Sequence, residues 1–385
     1  MASQDAAQSV ARAQLVNAKR VVLKVGSQVL CQADGRVDET VLGRLCADIA
    51  ALMAEGRQVV LVSSGAVAMG RGEVGQVLGA ADHGLGSLGK QALAAVGQGL
   101  LMSRYRAHLS GHGIHTAQML LTHGDLGERG RFLHARRVAA ELLSAGILPV
   151  VNENDTVSVE ELRFGDNDAL AAQFAQAVGA DVLILLTEVD GLYTANPHLD
   201  PTAQLLHSVA SRDDTALARA GSGTSRFGTG GMRSKVLAAR KAGEVGIVTV
   251  VAHGRREGVV ARVLAGESEG TIFVPPRRRL TARRKWLTMS PRVRGTVVVD
   301  AGAAHALAVG GRSLLPVGVT QVEGRFGVGD AVRVVGPDGA LLGRGLVRYA
   351  SEDAREAAGL RTDEIATRLG WLPAKELVHR DDFVS

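Results

Sequence analysis

The chain has no apolar run near the eighteen or so residues that a membrane helix needs. Its start, MASQDAAQSVARAQLVNAKR, lacks the apolar centre of a secretory signal. A cytoplasmic protein with no membrane association is therefore expected. Asp5 and the weak amphipathicity of this stretch favour a frayed N-terminal tail over a transit peptide. Cysteine is nearly absent: Cys31 and Cys46 form no ligand spacing and no disulfide framework, so two buried thiols are expected. Aromatic residues make up only 3% of the chain, which leaves little to interleave with basic residues on a nucleic-acid surface. What remains is an ordinary globular composition, 46% hydrophobic and 22% charged over 385 residues, long enough for two domains.

The formal charge of +5 is concentrated rather than spread. Eight basic and no acidic residues lie between Pro275 and Arg294, in PPRRRLTARRKWLTMSPRVR, and without them the chain would carry −3. The double proline that opens this stretch reads as a domain junction. A solvated basic linker is the plain interpretation; an electrostatic patch for RNA or an acidic subunit is the alternative.

Upstream of the junction, short β-rich runs alternate with longer helical patterns. RVVLKVGSQVL, QVVLVSSGAVAMG, GILPVVNEND, DVLILLTEVDGLY and VGIVTVVAHG read as buried strands, each ending in a polar or glycine-bearing turn. Such alternation predicts an α/β fold: a three-layer αβα arrangement around an open, mainly parallel sheet. Ligands in these sheets bind beyond the carboxyl ends of the strands, where all these turns would lie. Downstream, GTVVVDAGAAHALAVGG, GVTQVEGRFGVGDAVRVVGPDG and ALLGRGLVRYASED read as short strands of a small β-barrel.

Several turns carry chemistry. Lys24 precedes Gly26-Ser27, a pairing that can offer a cation and backbone N–H groups to one anion, and phosphate suits it. Ser63 to Ala66 joins a strand to a helix, where its amides and the Ser64 hydroxyl suit a carboxylate or a phosphate. NEND, Asn152 to Asp155, and GDND, Gly165 to Asp168, place four acidic groups and three amides beside buried strands, which is costly unless cations or ligand donors meet them. One of Asp166 and Asn167 also suits a helix cap. Two other patterns are set aside. GLGSLGKQ approaches Walker A, but Gln91 replaces the Ser/Thr that would hold magnesium. His108, His112 and His115 have no carboxylate or cysteine beside them to complete a metal site.

Six blocks, VVLKVGSQVL, LVSSGAVAMG, PVVNENDTV, FGDNDALAA, LLTEVDGLYTANP and GTGGMRSK, together resemble the bacterial glutamate 5-kinases, which have the amino-acid-kinase fold and a C-terminal PUA domain. The likeness runs from about residue 19 to the closing VHRDDF. It implies a catalytic domain over 15–275, a basic linker over 276–292, a PUA domain over 293–371 and a tail over 372–385. It further implies ATP-dependent phosphorylation of the glutamate side-chain carboxylate, the first step of proline biosynthesis, with Mg2+ as cofactor, feedback by proline and a homo-oligomer, dimer or tetramer. By the same resemblance Lys24 binds ATP phosphates, and Thr187, Glu188 and the segment Thr229, Gly230, Gly231, Met232, Arg233, Ser234 and Lys235 form the nucleotide site. Ser64, Asp155 and Asn167 would bind glutamate. Relatives often have aspartate where Glu188 stands, so its backbone carries over more securely than its carboxylate.

The chemistry of that reaction agrees with the residue types. Glutamate has a pKa of about 4.3, so the nucleophile is already an anion and repulsion by the γ-phosphate is the difficulty. Lys24 and Lys235, with Mg2+, supply the cations. A carboxylate between two lysines would hold them in place, a role for Asp168 that the resemblance also assigns. Asp155 and Asp166 are candidate partners for the amino-acid ammonium, and Asn152 and Asn167 for its carboxylate. No protein ligand set for a metal stands out. Aspartate and N-acetylglutamate remain alternative substrates on residue types alone, and RNA binding through the PUA domain remains an accessory role.

Overall fold

Arg20–Val25 (β1) alternates its faces as a half-turn-per-residue strand must. Val21, Leu23 and Val25 enter one apolar cluster with Leu15, Leu42, Leu45 and Ile49, which leaves Val22 and Lys24 on the opposite face. The computed structural model describes residues 2–32, 34–78, 89–158, 167–197, 199–221, 231–276, 293–310 and 312–384. The chain divides into two units, residues 1–126 with 130–279, and residues 280–385 with 127–129.

The first unit is built on an eight-stranded sheet. Its other strands are Gln58–Ser63 (β2), Thr116–Leu121 (β3), Leu148–Glu153 (β4), Val182–Thr187 (β5), Ser208–Ala210 (β6), Val248–His253 (β7) and Thr271–Val274 (β8). They run in the order β3-β4-β2-β1-β5-β7-β8-β6, with every pairing parallel except β7 with β8. The chain builds leftward from β1 through β2, then returns to place β5 on the other side. The switch in strand order therefore falls between β1 and β5, the place where open sheets of this kind form a ligand crevice at the carboxyl edge.

The helices of this unit are Ala2–Val16 (α1), Ser27–Leu30 (α2), Glu39–Ala54 (α3), Ala66–Leu78 (α4), Lys90–Ser110 (α5), His123–Gly127 (α6), Arg129–Ser144 (α7), Asn167–Val178 (α8), Asp214–Arg219 (α9), Met232–Glu244 (α10) and Val259–Leu264 (α11). α1, α3, α5 and α11 join the cluster on the face that Val21 and Leu23 share. α8 and α10 cover the other face, packed on β1, β5 and β7 and on each other. α8 is buried nearly all round because Ala171, Ala172, Ala175 and Ala177 let it lie close to both layers.

Residues 2–17 are not a tail. α1 buries Ala11 and Leu15, and the Arg12 guanidinium donates to the Gly266 and Glu267 carbonyls at 2.8 and 2.6 Å. Its alanine-rich sequence hides a narrow apolar face that only the packed sheet reveals.

The second unit holds Val293–Val299 (β9), Ala301–Gly310 (α12), Val319–Gly324 (β10), Ala331–Val335 (β11), Leu341–Val347 (β12), Ser351–Ala357 (α13), Thr362–Leu369 (α14) and Val378–Val384 (β13). Its five strands run β10-β9-β11-β12-β13. Two sequence expectations change here. AGAAHALAVG is helical, as its alanine content favours. Residues 378–384 are a sheet strand rather than a tail: β13 pairs with β12, and Leu377, Val378 and Phe383 are buried in the apolar core. The basic segment lies outside the described residues from 277 onward. Cys31 and Cys46 are free and buried. No helix among the described residues is long and apolar enough to cross a membrane.

Candidate active site

Strand alternation turns Lys24 toward α8, where Asp168 stands in the first turn, and α10 brings Lys235 to the same point. Lys24 Nζ lies 2.5 Å from Asp168 Oδ1, and Lys235 Nζ lies 3.1 Å from Oδ2. The Ser234 hydroxyl donates to that same Oδ2 at 2.9 Å and sits 2.7 Å from the Gly231 carbonyl. Asp168 is fully buried, and the lysines are 4% and 5% exposed. Two ammonium groups converge on this one buried carboxylate, in a place where isolated charge is expensive. An anionic ligand suits such a pair of ammonium groups.

Beside this set runs a chain of amides and hydroxyls. Asn167 Nδ2 donates to Ser64 Oγ and to Asn152 Oδ1, each at 2.9 Å. Asn152 Nδ2 in turn donates to Gln98 Oε1 at 2.8 Å, and Asn152 Oδ1 also accepts from the Glu153 amide at 2.9 Å. Two buried atoms at the ends of this chain, Asn167 Oδ1 and Gln98 Nε2, have no hydrogen-bond partner among the described residues. Each such orphan costs about 1–3 kcal/mol, which a ligand carrying both donors and acceptors would offset. Beneath them Ser63 Oγ meets the Tyr105 hydroxyl at 2.8 Å, and burial pushes the Tyr105 phenol far above its ordinary value, so it stays neutral.

Gln98 was not foreseen from sequence. It reaches the site because α4 and α5 cross closely: a Cβ on Gly97 would stand 1.9 Å from the Ala66 carbonyl oxygen. Only glycine permits that approach.

The other anticipated residues lie along the same edge. Asp155 follows β4 in a turn and is half-buried, while Glu153 is buried and accepts from Ser158 Oγ at 2.7 Å. Thr187 ends β5 and is buried; Glu188 after it is exposed. Gly231 precedes α10, whose first turn presents Met232, Arg233 and Ser234. Asp166, Thr229 and Gly230 lie outside the described residues. His108 is tied to Glu39 at 2.8 Å. Lys90 begins α5 as an ordinary helical residue after Gly89. A groove of about 250 Å³ on the far face, walled by Val16, Asp48, Leu52 and Leu264, contains none of these groups.

A mainly parallel α/β sheet with two buried lysines at its carboxyl edge defines an α/β protein whose site suits an anionic ligand, and the comparisons sharpen that class. Residues 19–253 match the amino acid kinase family, and residues 295–369 match the PUA domain. A protein of Trichlorobacter lovleyi named glutamate 5-kinase is 46% identical over 373 residues, which is 97% of this chain and 98% of that one. Proteins of the same name from Burkholderia cenocepacia (44%, 97% and 99% covered) and Meiothermus ruber (47%, 95% of each) agree. The chain belongs to the amino acid kinase family, in its glutamate 5-kinase branch.

Proposed function

We propose that this enzyme transfers the γ-phosphoryl group of ATP to the side-chain carboxylate of L-glutamate, giving L-glutamyl 5-phosphate and ADP in the first step of proline biosynthesis. The observation that carries this reading is the buried Lys24–Asp168–Lys235 set lying beside the incompletely satisfied Gln98–Asn152–Asn167 chain. One group suits phosphate; the other suits an amino acid.

In the proposed reaction a glutamate carboxylate oxygen attacks the γ-phosphorus in line as the bond to the bridging oxygen breaks and ADP departs. No proton moves, so no base is required. Lys24 and Lys235 neutralise the oxygens of the transferring group, and Asp168 keeps the two ammonium groups from repelling each other in the empty site. Amides of Gly231, Met232, Arg233 and Ser234 at the start of α10 suit the polyphosphate, and the resemblance extends that segment back to Thr229 and Gly230. Thr187 and Glu188 border the nucleotide. Ser64, Asn152, Asn167 and Gln98 hold the amino acid, with Asp155 and Asp166 as partners of its ammonium group.

Both Asp168 oxygens are engaged by lysines, and the described residues gather no group of three or more His, Cys, Asp or Glu. Mg2+ would accompany the polyphosphate and supply further positive charge against it. Proline, a cyclised relative of glutamate, would compete for the same amides. A homo-oligomer, dimer or tetramer, would cover β3, an edge strand with Leu120 exposed. The cytoplasm is the proposed compartment. RNA binding by residues 293–385 themselves gains little from charge, since they hold 11 Lys/Arg and 12 Asp/Glu; the basic surplus lies in the segment before them, residues 277–292.

The test compares ADP release with L-glutamate, L-aspartate and N-acetyl-L-glutamate. Glutamate should be preferred by orders of magnitude in kcat/KM. Equal turnover of the N-acetylated substrate would remove the ammonium contact and the assignment built on it.

A further inference from the structure

Two adjacent arginines after β7 reach in different directions to the two turns that border the proposed nucleotide side. The turn begins at Gly254, where a Cβ would stand 2.9 Å from both Leu186 Cβ and Val29 Cγ1, so the backbone is wedged between β5 and α2. The Gly254 amide donates to the Thr187 carbonyl at 2.8 Å. Arg255 then donates through Nη1 to Asp38 Oδ2 at 2.7 Å and through Nη2 to the Gln28 and Cys31 carbonyls at 3.0 and 3.4 Å. Those carbonyls lie within and just after α2, a helix of four residues. Arg256 takes the other direction: Nη2 meets Asp190 Oδ1 at 2.8 Å and Nη1 meets Glu269 Oε1 at 3.2 Å. Asp190 Oδ2 accepts from the Tyr193 hydroxyl at 3.1 Å.

The turns so tethered have little structure of their own. A single helical turn is far below the length at which a helix is self-supporting, and residues 188–191 belong to no helix or strand. External tethers must therefore define them. Isolated surface ion pairs contribute little, but here Arg255 spans a carboxylate and two main-chain carbonyls, and Arg256 bridges two carboxylates. Burial pushes the Asp38 carboxyl up, yet the Val41 amide and Arg255 outweigh it and hold it below its ordinary range. Glu269 behaves alike: Arg262 and Arg256 overcome the effect of its burial.

We infer that Arg255 and Arg256 are positioning residues for the nucleotide: Arg255 sets the segment that follows Lys24, and Arg256 sets the turn that follows Thr187. They act through Gln28, Cys31, Asp38 and Asp190 rather than by touching reacting atoms. This inference rests on the reading that the Lys24–Thr187 side of the crevice takes ATP.

The experiment measures ATP affinity by calorimetry, with KM for ATP and for glutamate, in wild type, R255Q, R256Q, R255K, D190N and the R256Q/D190N double variant. R255Q and R256Q should each weaken ATP binding roughly tenfold, the weight of one charge-assisted hydrogen bond, with KM for glutamate changed less than twofold. R255K should recover only part of the loss, since the donors of an ammonium radiate from one nitrogen and do not reproduce the spread of the Nη1 and Nη2 fork. D190N should reproduce R256Q, and the double variant should be no worse than either alone. Unchanged ATP affinity in the arginine variants, or equal weakening of both substrates with a lowered melting temperature, would overturn the inference while leaving the proposed function standing. A wild type that binds no ATP would overturn both.

Discussion

Replacing Asp168 by asparagine removes one negative charge and almost no volume, so it isolates the carboxylate's part in the site. Asp168 is fully buried and offers one oxygen to each lysine, at 2.5 and 3.1 Å. The asparagine amide can accept from one ammonium through its oxygen, but it must turn N–H groups toward the other. At least one buried ammonium then loses the carboxylate oxygen that Asp168 offers it. Removing one partner of a buried ion pair costs about 3–5 kcal/mol, and in a domain of this size that lowers the melting temperature by roughly 6–20 °C. Turnover should fall by about 10²–10³, the scale of losing a preorganised electrostatic contact, while KM for glutamate changes little. Nucleotide replaces the missing negative charge, so ATP should raise the melting temperature of D168N more than that of wild type. Scanning calorimetry with and without ATP, beside steady-state rates, provides the assay. A melting temperature within 2 °C or so of wild type, with normal turnover, would refute the claim that this carboxylate organises the two lysines.

Four further outcomes follow from particular contacts. K235A should lose turnover by orders of magnitude with the fold intact by circular dichroism; near-normal rates would remove Lys235 from the chemistry. D155A should raise KM for glutamate far more than KM for ATP, because it deletes a partner of the amino acid alone, and equal effects would indicate a structural role. Glu269 is held below its unfolded value of 4.5, so its stabilisation is present above that pH and is lost as pH falls through the lower folded value. E269Q should therefore flatten the acid limb of the stability curve, checked by urea midpoints between pH 3 and pH 7 or so. Burial pushes the thiols of Cys31 and Cys46 up to about 11 and about 12, so both should resist a thiol reagent at mildly alkaline pH in the native enzyme and react promptly in denaturant.

Much of the site was legible because strand-end chemistry is local. Lys24, Ser64, Asn152 and Thr187 each end or follow a run of apolar β-formers, and a parallel sheet gathers such ends at one edge. Asn167 and Asp168 were visible as polar residues at the start of an alanine-rich helix. Gln98 was not, because it sits inside a helix 54 residues before Asn152 in the chain and reaches that residue only through the Gly97–Ala66 crossing. Arg255 and Arg256 carry no local signal in the sequence, since their partners Asp38 and Asp190 are distant in the chain. The helix Ala301–Gly310 was taken for strand because valine and glycine flank its alanines, and β13 was missed because its apolar residues, Val378, Phe383 and Val384, bracket four polar ones.

The chemical identity of the product is the most direct test of the glutamate assignment. Purified enzyme incubated with L-glutamate, Mg·ATP and hydroxylamine should form γ-glutamyl hydroxamate in step with ADP, because an acyl phosphate is captured by the amine as fast as it forms. The signal should need both substrates, fail in K235A and fall when proline is added. ADP release without hydroxamate, or hydroxamate from aspartate at the rate seen with glutamate, would contradict the assignment of this site to the glutamate carboxylate.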